Sequence, residues 1–200
     1  MQKLDDLRFI YVTGKGGVGK TTVAAALARA MAARGRRVLV CMCNAKERLS
    51  GMLGSPPIGW EVTHVAPGGP LRREADRAWR LFQDPSHSGV ILVTLPEEMP
   101  TNETLELAGT LRDELGLPIP RLVVNACHTP VFTVDQRDAV LAKARASMLR
   151  PIRARARREG VQDAAFQRLA TLGIPTSFLP FILAANASDP AAVLQLAKSL

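Results

Sequence analysis

A doubly wound α/β domain, with a mostly parallel sheet flanked by helices, is the fold this sequence predicts, and three observations predict it. Short apolar runs recur along the chain as Phe9-Ile10-Tyr11-Val12, Val90-Ile91-Leu92-Val93 and Leu122-Val123-Val124. Segments with helical periodicity separate them. A glycine-rich loop lies between the first run and the first helix. Alternation of this kind places helices over a parallel sheet.

The elements follow in order. Phe9 to Val12 is short and apolar, as suits a strand buried on both faces. Residues 20 to 34 then read as a helix with Val23, Leu27, Ala30 and Met31 on one face, and Gly35 is its natural stop. Val38-Leu39-Val40 is expected to be the next buried strand, closing a right-handed βαβ unit. Gly54 to Gly69 is less regular and holds only a short strand-like piece, Glu61 to Val65. Residues 70 to 83 are helical. After the strand at Val90–Val93, Asn102 is placed to cap a helix running to Leu115, with Leu105, Ala108, Leu111 and Leu115 in register and Gly116 as its end. Beyond Leu122–Val124, residues 133 to 172 read as helix punctuated by Pro151 and Gly160. Thr176 to Leu179 is the last strand, and Pro190 to Leu200 a closing helix. The 200 residues make one domain.

Composition narrows the classes. Apolar residues are 47% of the chain, enough for a sizeable aliphatic core, and this excludes disorder. The net charge of +8 permits nucleic acid, an anionic membrane surface or an acidic partner and selects none of them. Three cysteines, Cys41, Cys43 and Cys127, make no disulfide framework. The charged start of the chain does not read as a secretion signal, and Arg29 interrupts the longest apolar stretch, Val23 to Ala33. The expectation is a cytoplasmic protein.

The chemistry concentrates in Gly14-Lys15-Gly16-Gly17-Val18-Gly19-Lys20-Thr21-Thr22, a complete match to G-x-x-x-x-G-K-[ST]. Glycines let successive backbone N–H groups converge on phosphate oxygens. The helix beginning near Lys20 adds its partial positive end. Lys20 is expected to reach the β- and γ-phosphates of ATP, the Thr21 hydroxyl to ligate Mg2+, and Thr22 to donate to the α-phosphate. A strand before the motif and an amphipathic helix after it are the context that separates this loop from an accidental glycine-rich turn.

Lys15, just after the first glycine, makes the motif resemble the deviant Walker A group, which includes ParA- and MinD-like partitioning ATPases, nitrogenase iron protein and the arsenite and tail-anchor ATPases. The resemblance implies that Lys15 crosses a dimer interface to the partner's nucleotide, in a homodimer or a heterodimer with a paralogue. Leu92 to Pro100, followed by Asn102-Glu103-Thr104-Leu105-Glu106-Leu107, resembles the V-T-x-P-E-x-x-P-x-x-E-T segment of the ArsA family. Val123-Val124-Asn125 resembles that family's V-V-N strand end, which implies that Asn125 contacts adenine. Leu179-Pro180-Phe181 resembles its proline-containing adenine loop, which makes Pro180 and Phe181 base-side residues for ATP or ADP.

Two departures stand against that family. Cys43, in Cys41-Met42-Cys43-Asn44-Ala45, stands where the family has an aspartate that positions the attacking water. A thiol is a poor substitute for a carboxylate in that task. The family's Walker B strand and its following switch have no counterpart, and Ala66 to Gly69 looks like the join across a deletion. Phosphate binding with impaired hydrolysis is the expectation. Its alternatives are a non-hydrolysing adaptor beside a competent paralogue, and a positioning ATPase of ParA or MinD type.

Smaller signals receive the plainer reading. The cysteines are small buried hydrophobes rather than an arsenite or metal site. The basic run Lys143, Arg145, Arg150, Arg153, Arg155, Arg157 and Arg158 spreads around helices as a solvated face or a contact for an acidic partner. Glu97 and Glu98 carry no catalysis, His64, His87 and His128 lack ligand spacing, and Trp60 and Trp79 are packing residues.

Overall fold

The computed structural model describes residues 4–40, 70–143, 150–182 and 190–200. Among them, four strands form one sheet in the order β1-β2-β3-β4, with each neighbouring pair parallel. They are β1 (Phe9–Thr13), β2 (Ser88–Thr94), β3 (Arg121–Cys127) and β4 (Thr176–Pro180). The helices are α1 (Lys20–Ala33), α2 (Pro70–Gln83), α3 (Glu98–Gly109), α4 (Val134–Lys143), α5 (Arg150–Ala170) and α6 (Pro190–Ala197).

Alternation along the strands divides the core into two layers. On one face, Ile10 and Val12 join Ile91, Val93, Val123 and Leu179 beneath Val23, Ala26, Leu27 and Met31 of α1 and Leu196 of α6. On the other, Val90, Leu92, Leu122 and Val124 pack with Ala108 of α3, Leu111 and, from α5, Leu169 and Phe166. Covering on both faces is what a parallel sheet needs, and β2 is buried along its whole length. Leu92 and Leu122 have no exposed surface. Truncating either to Ala would cost about 2–5 kcal/mol.

Several sequence expectations need correction. Val38, Leu39 and Val40 form no strand, and Leu39 is 87% exposed. Their β-propensity is real, but a strand needs a ladder partner, and β1 is paired only to β2 among the described residues. The edge position of β1 among the described residues also explains why it is not buried on both faces. Ile10 and Val12 pack under α1, whereas Phe9 and Tyr11 remain 42% and 51% exposed. The Phe9 ring packs against Phe82 of α2 at 4.9 Å between ring centroids. Trp79 of the same helix is 39% exposed and is not a core residue.

Asn102 does not cap its helix. Glu97 occupies the N-cap position without a side-chain cap, and α3 starts at Glu98. Pro100 is tolerated because first-turn N–H groups have no helical partner to lose. The helix continues into a π turn at Thr110–Glu114, where the Leu115 N–H reaches back to the Thr110 carbonyl. Ala108 and Leu111 are buried as the spacing predicts, the earlier start extends the stripe to Thr101 and Thr104, and Leu105 lies at its margin. The irregular region, the 66–69 join, Trp60, His64, Cys41, Cys43 and Arg145 lie outside the described residues.

Candidate functional site

All four strands run the same way, so their C-terminal ends line one edge of the sheet, the edge where ligands bind in open α/β folds. The loop Gly14–Gly19 leaves β1 at that edge. Gly14 has φ 154°, and a Cβ there would stand 2.1 Å from the Val93 carbonyl oxygen of β2. Only a residue without a side chain lets the loop cross the sheet end this closely. Val18 is 1% exposed and anchors the loop in the core, whereas Lys15, Gly16 and Gly17 are exposed.

Gly19 takes the N-cap position of α1 in the left-handed region, φ 89° and ψ 28°, and no side chain caps the helix. The first bond of the α1 ladder is the Val23 N–H to the Gly19 carbonyl at 2.9 Å. The N–H groups of Lys20, Thr21 and Thr22 therefore have no acceptor within the helix. They form a cluster of donors with the positive end of the helix dipole behind it, the arrangement that holds an anion. Thr21 is exposed in this first turn and Thr22 is half-buried. Lys20 Nζ donates to the Lys15 carbonyl at 2.9 Å, so its ammonium is folded over the loop. Lys15 Nζ stands 3.9 Å from Glu103 Oε1 of α3, a surface pair worth at most about 1 kcal/mol.

Asn125 reaches this loop from β3. Its Nδ2 donates to the Val18 carbonyl at 3.1 Å, and a Cβ on Gly19 would meet Nδ2 at 2.4 Å. The local backbone explains the reach. The β3–β4 register breaks between Val124 and Cys127, and Ala126 adopts φ 57°, a left-handed conformation uncommon for a residue with a side chain. This is a bulge beside a candidate site, where bulges commonly redirect a side chain.

Pro180 and Phe181 occupy the same edge but meet the end of β3 rather than the glycine loop. The Phe181 N–H donates to the Cys127 carbonyl at 2.8 Å, and its ring lies 4.8 Å from that of His128. Burial, and after it the charges of Arg155 and Arg158, holds His128 below the usual imidazole range, so its ring is neutral at pH 7. Burial pushes the Cys127 thiol up to about 11. It is an inert, half-buried thiol donating to the Val124 carbonyl. No group of three or more His, Cys, Asp or Glu among the described residues could hold a metal ion.

Sequence reasoning missed what holds the segment after β3. Glu159 of α5 is 2% exposed. Its carboxylate accepts the Val131 N–H at 2.9 Å, the Phe132 N–H at 3.2 Å and Arg155 Nε at 2.8 Å. Gln162, one turn on, accepts the His128 N–H at 2.8 Å and donates to the His128 carbonyl at 2.9 Å. Arg155 also donates to the Thr129 carbonyl, so it is not part of a solvated basic face. The contacts to residues 128–132 join positions 26 to 34 apart, and no local pattern announces them. Burial opposes the charge on Glu159, but the Arg155 bond and the two N–H donors outweigh it and hold the carboxyl below its ordinary range.

Comparison with known proteins agrees with this geometry. The family described as CobQ/CobB/MinD/ParA nucleotide binding domain matches residues 9–127. ATPase BagA of Mycobacterium tuberculosis and a candidate ATPase of Mycobacterium bovis are each 39% identical over 64 residues, 32% of this chain and 19% of theirs. The match thus spans about a fifth of the length of these curated relatives. No helix among the described residues is long and apolar enough to cross a membrane.

Proposed function

For a chain that belongs to the CobQ/CobB/MinD/ParA nucleotide-binding family, we propose a Mg2+-dependent ATP site acting as a weak or conditional ATPase in a nucleotide-gated dimer. The observation that carries this reading is the uncapped start of α1 at the mouth of the Gly14–Gly19 loop, with Lys20 and Thr21 beside it.

In this reading the N–H groups from Gly16 to Thr22 receive the phosphate oxygens. Lys20 swings from the Lys15 carbonyl to the β- and γ-phosphates, a point charge on a flexible stem. Mg2+, which prefers a few protein oxygens plus phosphate oxygens, would be held by the Thr21 hydroxyl. Thr22 serves the α-phosphate. Asn125, Pro180 and Phe181 serve the base. Lys15 pairs loosely with Glu103 and is free to turn to a second subunit, a homodimer mate or a paralogue.

Weak turnover is part of the proposal because phosphoryl transfer depends on water positioning, and Cys43 stands where the resembled ArsA-like family has a carboxylate. The chain is read as one domain with the Walker B segment missing near 66–69, working in the cytoplasm. ATP binding and steady-state hydrolysis, measured together with Mg2+ beside Lys20→Ala, test the reading. Binding lost in the variant, with wild-type turnover above it, is the expected result. Binding without turnover would replace the ATPase by a non-hydrolysing adaptor. Loss of neither activity in Lys20→Ala would reject the site.

A further inference from the structure

We infer that Glu159, assisted by Gln162, is a positioning residue for the base end of the nucleotide site. It holds the 128–133 segment so that His128 and Phe181 stand as a paired aromatic shelf beyond Asn125. This inference rests on the proposed reading that the nucleotide base lies toward Asn125 and Phe181.

The burial is unusual for such a short connection. Glu159 is a charged side chain with 2% exposure in the middle of α5, a place where carboxylates are rarely found unless paired. Its oxygens do not serve the helix. They take two successive N–H groups of the segment between β3 and α4, Val131 and Phe132, while Arg155 balances the charge. Gln162 takes both backbone groups of His128 in a two-point contact. Four backbone hydrogen bonds from two side chains thus tie the beginning and the end of the segment to one helix. Arg137 of α4, pairing with Asp163, locks α4 to α5 just beyond.

The consequence for the site is one of order. His128 is the first residue after β3, its ring is neutral, and it lies 4.8 Å from the ring of Phe181. Without the clamp the His128 backbone is free to rotate, and the shelf loses one of its two rings. A flat apolar ligand face gains from a preformed aromatic surface because little ordering remains for the moment of binding. A purine base is such a face. The phosphates are held elsewhere, by the loop and α1, so the two ends of the nucleotide respond to different residues.

That separation supplies the test. Mg-ATP and inorganic tripolyphosphate with Mg2+ are titrated into wild type, Glu159→Gln and Gln162→Met. Glu159→Gln keeps the volume and one acceptor but removes the second. Wild type is expected to bind ATP more tightly than tripolyphosphate. Each variant is expected to weaken ATP about tenfold while leaving tripolyphosphate within about twofold, with thermal unfolding monitored on the same samples. If Glu159→Gln does not fold, Gln162→Met decides alone. ATP binding unchanged in the folded variants would overturn the inference and leave the base reading standing. Equal weakening of both ligands would assign Glu159 and Gln162 to general stability and also overturn it. A wild type with no preference for ATP over tripolyphosphate would remove the base reading itself, and this inference with it.

Discussion

Asn125 Nδ2 donates to the Val18 carbonyl at 3.1 Å, tying the end of the third strand to the phosphate loop 107 residues away in sequence. The bond stabilises the bend that lets Val18 enter the core while Gly16 and Gly17 stay open. Asn125→Ala should lower stability by about 1–2 kcal/mol, the usual cost of leaving a buried carbonyl without its donor. Chemical denaturation reads that loss. The same variant is expected to weaken Mg-ATP about tenfold. Unchanged stability and affinity together would mean that the loop keeps its shape without the amide.

Gly14→Ala should be far more damaging. The added Cβ falls 2.1 Å from the Val93 oxygen, which belongs to the sheet backbone and cannot step aside. A loss of about 3 kcal/mol or more is expected, from overlap and an unfavourable φ together. A thermal melt of the variant beside wild type settles it, since a flexible contact would cost under about 1 kcal/mol.

Thr21→Ala separates metal from phosphate. Thr21 is exposed, so its removal leaves the core intact. ATP affinity in the presence of Mg2+ should fall about tenfold, and affinity in a chelator should stay at the wild-type value. A variant that still responds to Mg2+ as wild type does would take the hydroxyl out of the metal site.

Acid should loosen the segment after β3. Glu159 has a folded pKa below its ordinary value, so its stabilising effect is complete above the unfolded carboxylate range. It is lost as pH falls from about 4 through the lower folded pKa. Glu159→Gln should be less stable at pH 7 by about 1–3 kcal/mol and should lack this part of the acid limb. Stability curves between neutral pH and pH 3 compare the two. Parallel curves would mean that the carboxylate charge is immaterial.

The turn before β2 offers a second acid-sensitive contact. Asp84 accepts the Ser86 hydroxyl at 2.6 Å, His87 Nδ1 at 2.7 Å and the Ser86 N–H at 2.8 Å, and these bonds lower its pKa to about 2. Asp84→Asn should remove stability present above pH 4 and leave nucleotide binding untouched, because the turn lies at the opposite end of β2 from Gly14. A variant with reduced ATP affinity would contradict that placement.

Features written in local spacing were legible in the sequence. The loop motif, the apolar stripe of α1 and the runs inside β2 and β3 all depend on neighbours within a few residues. Val38–Val40 shows the limit, because propensity cannot say whether a strand will find a partner. Asn102 shows another, since a good capping residue does not prevent a helix from starting four residues earlier at Glu98. Asn125 is marked in the sequence only by a resemblance, and its bond to Val18 lies beside a register break that no sequence pattern marks. The roles of Glu159 and Gln162 are invisible because the backbone groups they hold lie 27 to 34 residues away. Arg155 belongs to a basic run whose spacing reads as a solvated face or a contact for an acidic partner, and its partner carbonyl at Thr129 lies 26 residues away.

Lys20 lies across its own loop, donating to the Lys15 carbonyl. A lysine side chain carries about 2 kcal/mol of rotamer entropy. Part of that freedom has already been surrendered during folding. In the proposed ATP site, recognition becomes an exchange of acceptors at one ammonium, carbonyl for phosphate, with less disorder left to remove.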